Sequence, residues 1–236
     1  MAEVMWNRRM TGGAGFRPNP DCILRIRSGP GVPPPGTVRA AFGILHLTHD
    51  ELIQLFRDSG ALLEGHFRLT SGLHSPGYLQ CALVLQDPAR ASTLGSAVAA
   101  LVRPLGITVV LSPALGGIVI GHEVGRALGV RAIFAERQNG SLHLRRGFTL
   151  EPSDRVLVVE DVVTTGGSTR ETLDVARAAG ATPVGAAAIV DRSGADPNLG
   201  VPFHTLLQIT LPTYPPDACP LCAQGLPVVK PGSREK

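Results

Sequence analysis

The stretch Val156 to Ser168, VLVVEDVVTTGGS, decides the fold of this chain. Its apolar start, Val156 to Val159, has the continuous hydrophobicity of a strand buried on both faces. Thr169 onward, TRETLDVARAAG, places apolar residues at helical spacing and ends at Gly180, a suitable helix stop. The intervening loop therefore joins a strand end to a helix start. N–H groups freed at that helix N-terminus, together with the hydroxyls of Thr164, Thr165, Ser168 and Thr169, can hold a phosphate dianion. Gly166 and Gly167 permit close backbone approach. A Walker A loop would need a Lys after the glycines, and the dinucleotide fingerprint would need G-x-G-x-x-G; neither occurs here. Glu160 and Asp161 stand just before the loop, where two carboxylates can accept hydrogen bonds from vicinal ribose hydroxyls or hold Mg²⁺ through water.

Working outward, the segment from Pro88 alternates helix and strand: helix 89–102, strand 108–112, a Gly-rich turn, helix 118–128, strand 132–135, a polar loop, the Val156 strand, a helix, and strand 183–190. This order predicts an α/β fold with a central, mostly parallel sheet flanked by helices and ligands at the carboxyl ends of its strands. Before it, Thr48 to Gly60 reads as an amphipathic helix with Thr48 and Glu51 forming a capping box. Residues 66–80 alternate as two strands around a turn expected at Ser71 to Gly77. Residues 1–44 are Gly/Pro-rich and aperiodic. They read either as a disordered extension or as an upstream addition to a fold that begins near Leu47.

The 236 residues, 44% hydrophobic, suffice for one α/β core, and a net charge of +3 does not argue for nucleic-acid binding. No apolar run is long enough for a membrane span and no secretion signal is evident, so a cytoplasmic protein is expected. Of four cysteines, Cys219 and Cys222 form a C-x-x-C pair in a Pro-rich tail, 212–236. One such pair offers two of the four ligands of a structural zinc site, so two reduced thiols are the simpler expectation, with zinc or a disulfide across a dimer as alternatives. The tail is expected to lack regular structure, and to pack either across a dimer or over the hairpin.

The run from Val156 resembles the phosphoribosyl pyrophosphate (PRPP) motif of type I phosphoribosyltransferases. The hairpin sequence GHFRLTSGLHSPGYLQC, residues 65–81, resembles the hood of the orotate phosphoribosyltransferase family. Ser112 to Ile118 is similar to that family's pyrophosphate loop, and Ile189 to Arg192 to its orotate-binding strand. The resemblance runs from about residue 47 to 211, with the hood at about 47–85. It implies transfer of ribose 5-phosphate from PRPP to orotate with Mg²⁺, giving orotidine 5′-monophosphate and pyrophosphate in pyrimidine biosynthesis, by a homodimer.

By motif match, Glu160 and Asp161 would hold the ribose hydroxyls, and Val162, Val163, Thr164, Thr165, Gly166, Gly167 and Ser168 would complete PRPP binding around the 5′-phosphate. Ala114, Leu115, Gly116 and Gly117 would face pyrophosphate. Arg192, Thr164, Tyr78 and Leu79 would meet orotate, Arg192 through its carboxylate. Residues 136–147 are placed as the family's mobile catalytic loop, completing the neighbouring subunit's site. Arg137 matches its leading Arg and also contacts PRPP, while His143, Arg145 and Arg146 are approximate counterparts of later cations. No metal ligand is assigned; Mg²⁺ would be held mainly by PRPP near Glu160 and Asp161. Lysines common in the family are replaced by Thr70, Gly116 and Gln138, and Arg68 or the Arg145/Arg146 pair is expected to compensate. The competing readings are a purine phosphoribosyltransferase and a non-catalytic PRPP sensor.

Overall fold

A computed structural model describes residues 25–28, 47–69 and 71–231, the first of these as backbone. Seven strands form one sheet in the order β1-β9-β8-β7-β4-β5-β6. β4 (Val109–Pro113), β5 (Arg131–Gln138), β7 (Arg155–Val163), β8 (Thr182–Asp191) and β9 (Phe203–Thr210) are mutually parallel, and β1 (Arg25–Ser28) and β6 (Ser141–Leu144) close the edges antiparallel. The expected mostly parallel sheet is present.

Period-two alternation places the core. On β4 and β7, Val109, Leu111, Val156 and Val158 point to one face, where they meet Leu173 and Ala176 of α5 (Gly167–Ala178). Val110, Leu157 and Val159 point to the other, against α3 (Pro88–Val102) and α4 (Gly116–Leu128). The Val156 run is hydrophobic throughout because helices cover both sides.

α1 (His49–Asp58) buries Leu52, Ile53 and Phe56 on this second face. The capping box forms as predicted: the Glu51 N–H donates to Thr48 Oγ1 at 3.3 Å and the Thr48 N–H to Glu51 Oε2 at 2.7 Å, a pairing typically worth about 1 kcal/mol. The hairpin β2 (Leu62–Arg68) and β3 (His74–Leu79) stands as a separate two-stranded sheet, followed by α2 (Cys81–Leu85).

Four boundaries depart from the sequence reading. The hairpin turn lies at residues 69–73, closed by the Leu69 N–H to the Leu73 carbonyl at 2.8 Å, and not at 71–77. Pro76 and Gly77 are instead inside β3, where Gly65 and His66 oppose the single Pro76 in a bulge; Pro76 has no N–H to continue the ladder. The loop 136–147 is largely a β-hairpin, with β5 continuing to Gln138 and pairing with β6 around Asn139 and Gly140, both at positive φ. Asn-Gly is a strong tight-turn signal. Glu160 and Asp161 lie within β7, which extends to Val163.

The segment 1–44, read as disordered, lies outside the described residues except for Arg25–Ser28. These four pair with Leu207–Thr210 along the otherwise open edge of β9. Within the Pro-rich tail, Pro220–Ala223 form one short helical turn, α6, and backbone bridges join the tail to the hood: Phe67 with Val229, and His74 with Tyr214.

Candidate active site

The chain passes from β4 to β5 on one side and from β7 to β8 on the other, so the sheet order reverses between β4 and β7. A crevice forms at the carboxyl ends of strands at such a point. β4 and β7 pair from Val109 with Val156 as far as Leu111 with Val158; beyond them β4 follows β5 and the two strands part.

Gly116, at the start of α4 just after β4, and Asp161, near the end of β7, approach each other there. A Cβ on Gly116 would lie 2.7 Å from Asp161 Oδ1. A side chain at position 116 would therefore require Asp161 to leave this rotamer, and glycine lets the carboxylate lie against the start of α4. Of the other loop residues, Gly117 is buried, Leu115 is fully exposed, and the Ala114–Leu115 peptide is cis.

Glu160 is buried and Asp161 half-buried. No Lys, Arg or His among the described residues forms an ion pair with either. Burial, and then the adjacent Asp161 charge, push the Glu160 carboxyl up to about 8. Burial also raises Asp161. One buried and one half-buried carboxylate, with no counter-charge among the described residues, suit a site that receives hydroxyl donors and a divalent cation from outside.

This arrangement makes stability depend on pH. The unfolded Glu160 carboxyl ionises near 4.5, while the folded one holds its proton to about 8. Between these values the unfolded state binds fewer protons, so stability present below pH 4.5 is lost progressively as pH rises toward 8. Thermal midpoints of the free protein measured from pH 5 to 8.5 should fall across this range, and Glu160→Gln should flatten the fall. Identical slopes for the two proteins would refute the assignment.

Beyond Asp161, Val162 is half-buried and Val163 buried, and Thr164, Thr165, Gly167 and Ser168 are exposed around the start of α5. The Val163 carbonyl accepts from the Arg192 N–H at 2.7 Å. Gly166 is left-handed, with φ 73°, and a Cβ there would meet Arg170 and Leu199 at 3.0 Å, so the tight entry into the helix requires glycine. The first turn of α5 leaves its N–H groups without intrahelical acceptors. These residues lie together at the entry to α5, and one expectation is corrected: Thr169 is buried on the inner face of α5 and does not join the exposed hydroxyls.

Arg192 follows the end of β8 and faces the hood. Its Nε is sealed from water and has no hydrogen-bond partner among the described residues. Burial lowers its pKa, partly offset by Cys81 and Tyr78 nearby. Cys81, absent from the predicted site, is buried at the start of α2 with its Sγ 4.0 Å from the Asp161 carbonyl, and burial raises its thiol pKa well above the usual range. Its apolar neighbours in sequence gave no sign of this position. Tyr78 packs on Phe67 with ring centres 5.9 Å apart, and Leu79 is buried.

The hairpin cations lie elsewhere in this chain. Arg137 pairs with Glu171 on α5 at 2.8 Å and donates to the Gly140 carbonyl. The Leu142 N–H and then Arg137 hold the Glu171 carboxyl below its ordinary range. Arg146 pairs with Glu136 at 2.7 Å and sits over Phe134. His143 and Arg145 are exposed, and Arg68 is exposed at the end of β2. None of these five side chains forms a hydrogen bond or ion pair with Glu160, Asp161 or Arg192 among the described residues. Thr70 lies outside the described residues.

Comparison with known proteins separates families that share this architecture. An orotate phosphoribosyltransferase of Pelotomaculum thermopropionicum is 54% identical over 189 residues, covering 80% of this chain and all of that protein. The chain belongs to the orotate phosphoribosyltransferase family. An orotate phosphoribosyltransferase of Chlorobaculum parvum is 53% identical over 188 residues, covering 80% of this chain and 97% of that protein. Among solved structures, the Mycobacterium tuberculosis orotate phosphoribosyltransferase in complex with inorganic phosphate superposes with a TM-score of 0.57 at 25% identity, covering 67% of this chain and 94% of that one. No protein-family model matches the sequence. The type I phosphoribosyltransferase fold inferred from the Val156 run is thereby established, and no helix among the described residues is long and apolar enough to cross a membrane.

Proposed function

We infer that this chain transfers ribose 5-phosphate from PRPP to orotate, releasing pyrophosphate and forming orotidine 5′-monophosphate. One observation carries the choice of base: a buried guanidinium, Arg192, lacks a partner at its Nε and stands between the hood and the PRPP motif. Orotate brings a carboxylate suited to a guanidinium fork; a purine base does not.

In this reading the exposed Thr164, Thr165 and Ser168 hydroxyls and the free N–H groups of α5 bind the 5′-phosphate, with Val162, Val163, Gly166 and Gly167 shaping the turn. Glu160 and Asp161 accept from the ribose hydroxyls. Ala114 to Gly117 line the pyrophosphate side, where Gly116 leaves space beside Asp161. Arg192 and Thr164 orient orotate under Tyr78 and Leu79, so that its ring nitrogen attacks C1′ as the bond from C1′ to the pyrophosphate oxygen breaks. Mg²⁺, carried mainly by PRPP and lying near the acidic pair, would supply charge to the leaving pyrophosphate.

The β5–β6 hairpin is the proposed cation donor to a neighbouring site in a homodimer. Arg137 and Arg146 are engaged within their own chain, which leaves His143 and Arg145 as the side chains free to reach across. An otherwise uncompensated acidic pair supports such a contribution from outside the chain. A cytoplasmic enzyme of pyrimidine synthesis fits this chemistry.

The test is Mg²⁺-dependent loss of orotate absorbance on mixing the purified chain with PRPP, beside hypoxanthine and adenine. Consumption of orotate alone is expected. Turnover of a purine without orotate, or PRPP binding without turnover of any base, would overturn the assignment.

A further inference from the structure

The C-terminal tail packs against the hood about 30 residues of sequence after Arg192, and there it meets two histidines that the transferase chemistry does not use. His66 and His74 of the hairpin and Cys219 and Cys222 of the tail present one ligand atom each, all four within 4.8 Å of one another. His66 Nε2 lies 2.9 Å from His74 Nδ1 and 3.5 Å from Cys219 Sγ. Cys222 Sγ lies 3.3 Å from His74 Nδ1 and 3.8 Å from His66 Nε2. A tetrahedral zinc ion with Zn–N bonds of about 2.05 Å and Zn–S bonds of about 2.3 Å sets its ligand atoms about 3.3–3.8 Å apart. Of the six separations among four ligand atoms, 3.3, 3.5 and 3.8 Å fall in or at that range; the pair of nitrogens needs to open by a few tenths of an ångström, and the rest, none beyond 4.8 Å, to close by at most about 1 Å.

We propose that His66, His74, Cys219 and Cys222 form a structural Zn²⁺ site that fastens the C-terminal tail to the hood. Ligand chemistry selects the metal. Two thiolates and two imidazoles in a compact cluster suit zinc and are poor ligands for Mg²⁺ or Ca²⁺, which take oxygen. All four positions are filled by side chains, which leaves none open for substrate and marks a structural and not a catalytic centre.

Local structure prepares each ligand. The bulge opposite Pro76 holds His66 out of the regular ladder and beside His74. The Leu226 carbonyl lies 2.8 Å from His66 Nδ1; by accepting a hydrogen bond from Nδ1–H it leaves the Nε2 lone pair for the metal, the usual outer-shell arrangement for a zinc histidine. Cys219 is the N-cap of the α6 turn and Cys222 lies within it three residues on, a spacing that puts both sulfurs on one side. Backbone bonds bring the two segments into register: the Arg68 N–H donates to the Val229 carbonyl, the Val229 N–H to the His66 carbonyl, and His74 and Tyr214 exchange both of theirs. Leu221, between the cysteines, is buried, as are Cys219 and both histidines. The same hairpin carries Tyr78 and Leu79, so the metal would hold the wall above Arg192 in place without touching substrate.

The site stands on its own geometry and does not depend on which base the enzyme uses. The decisive measurement is metal content of the untagged full-length chain, loaded with Zn²⁺ and freed of loose metal, by inductively coupled plasma mass spectrometry. One zinc per chain is expected, falling to under a tenth in Cys219→Ser/Cys222→Ser. X-ray absorption should find two sulfur ligands near about 2.3 Å and two nitrogen ligands near about 2.0–2.1 Å. Should the double variant fail to fold, Co²⁺ substitution of the parent chain gives the same information, through the intense visible bands of a tetrahedral site and a thiolate charge-transfer band. Less than a tenth of a zinc per chain, octahedral oxygen coordination, or a Cys219–Cys222 disulfide in the metal-free native protein would overturn the proposal.

Discussion

Replacing Arg192 with Ala should raise the KM for orotate by roughly 100-fold, about 3 kcal/mol, because the substrate carboxylate would then be buried without its guanidinium. The KM for PRPP should change by only a few fold, since the phosphate cradle and the acidic pair remain. Arg192→Lys should recover about tenfold of the loss by restoring charge without the planar fork. Stability supplies an independent signature. In the free chain the Arg192 Nε is buried without a partner and burial disfavours its charge, so removing it should leave the thermal midpoint unchanged or raise it. A structural arginine would behave the opposite way. An unchanged KM for orotate together with a lower midpoint would reject the binding role.

Neutralising the acidic pair should cost more. Glu160→Gln with Asp161→Asn keeps size and most hydrogen-bonding capacity but removes both charges, and kcat/KM for PRPP should fall on the order of a thousandfold, the scale of losing preorganised electrostatics at a reacting centre. At pH 8 the same double variant should melt above the parent, because ionising Glu160 in its buried position destabilises the folded chain. Loss of activity with a gain in stability is the pattern of a site strained for function. A double variant that retains activity, or one that melts below the parent at pH 8, would show that these carboxylates support structure instead.

Much of this was legible because the signals were local. The Val156 run, the glycines after it and the helix pattern to Gly180 all act within one strand–loop–helix unit, so the phosphate cradle could be read from consecutive residues. The capping box at Thr48 and Glu51 was legible for the same reason. Local reading failed where a neighbour in space overrode it. Thr169 has a hydroxyl of the right kind, but the helix phase turns it inward. The polar run 136–147 reads as a loop because its charges mask a strand continuing to Gln138 and returning through Asn139-Gly140. Residues 25–28 gave too short a pattern to register, and only the open edge of β9 makes them a strand.

By itself, then, the sequence determined the α/β class and the family, and it singled out the acidic pair, the glycine–hydroxyl loop and Arg192 as candidates, since each rests on contiguous residues whose spacing dictates their geometry. Tertiary structure alone decided that Asp161 in β7 lies so close to the start of α4 that a side chain at position 116 would have to displace its carboxylate. It also decided that Arg137 and Arg146 are paired within their own chain, and that a lone C-x-x-C has two histidines waiting for it. Cys219 and His66 are separated by 153 residues yet lie 3.5 Å apart, because the last strand of the sheet returns the tail to the hood, and no periodicity in the chain records that path.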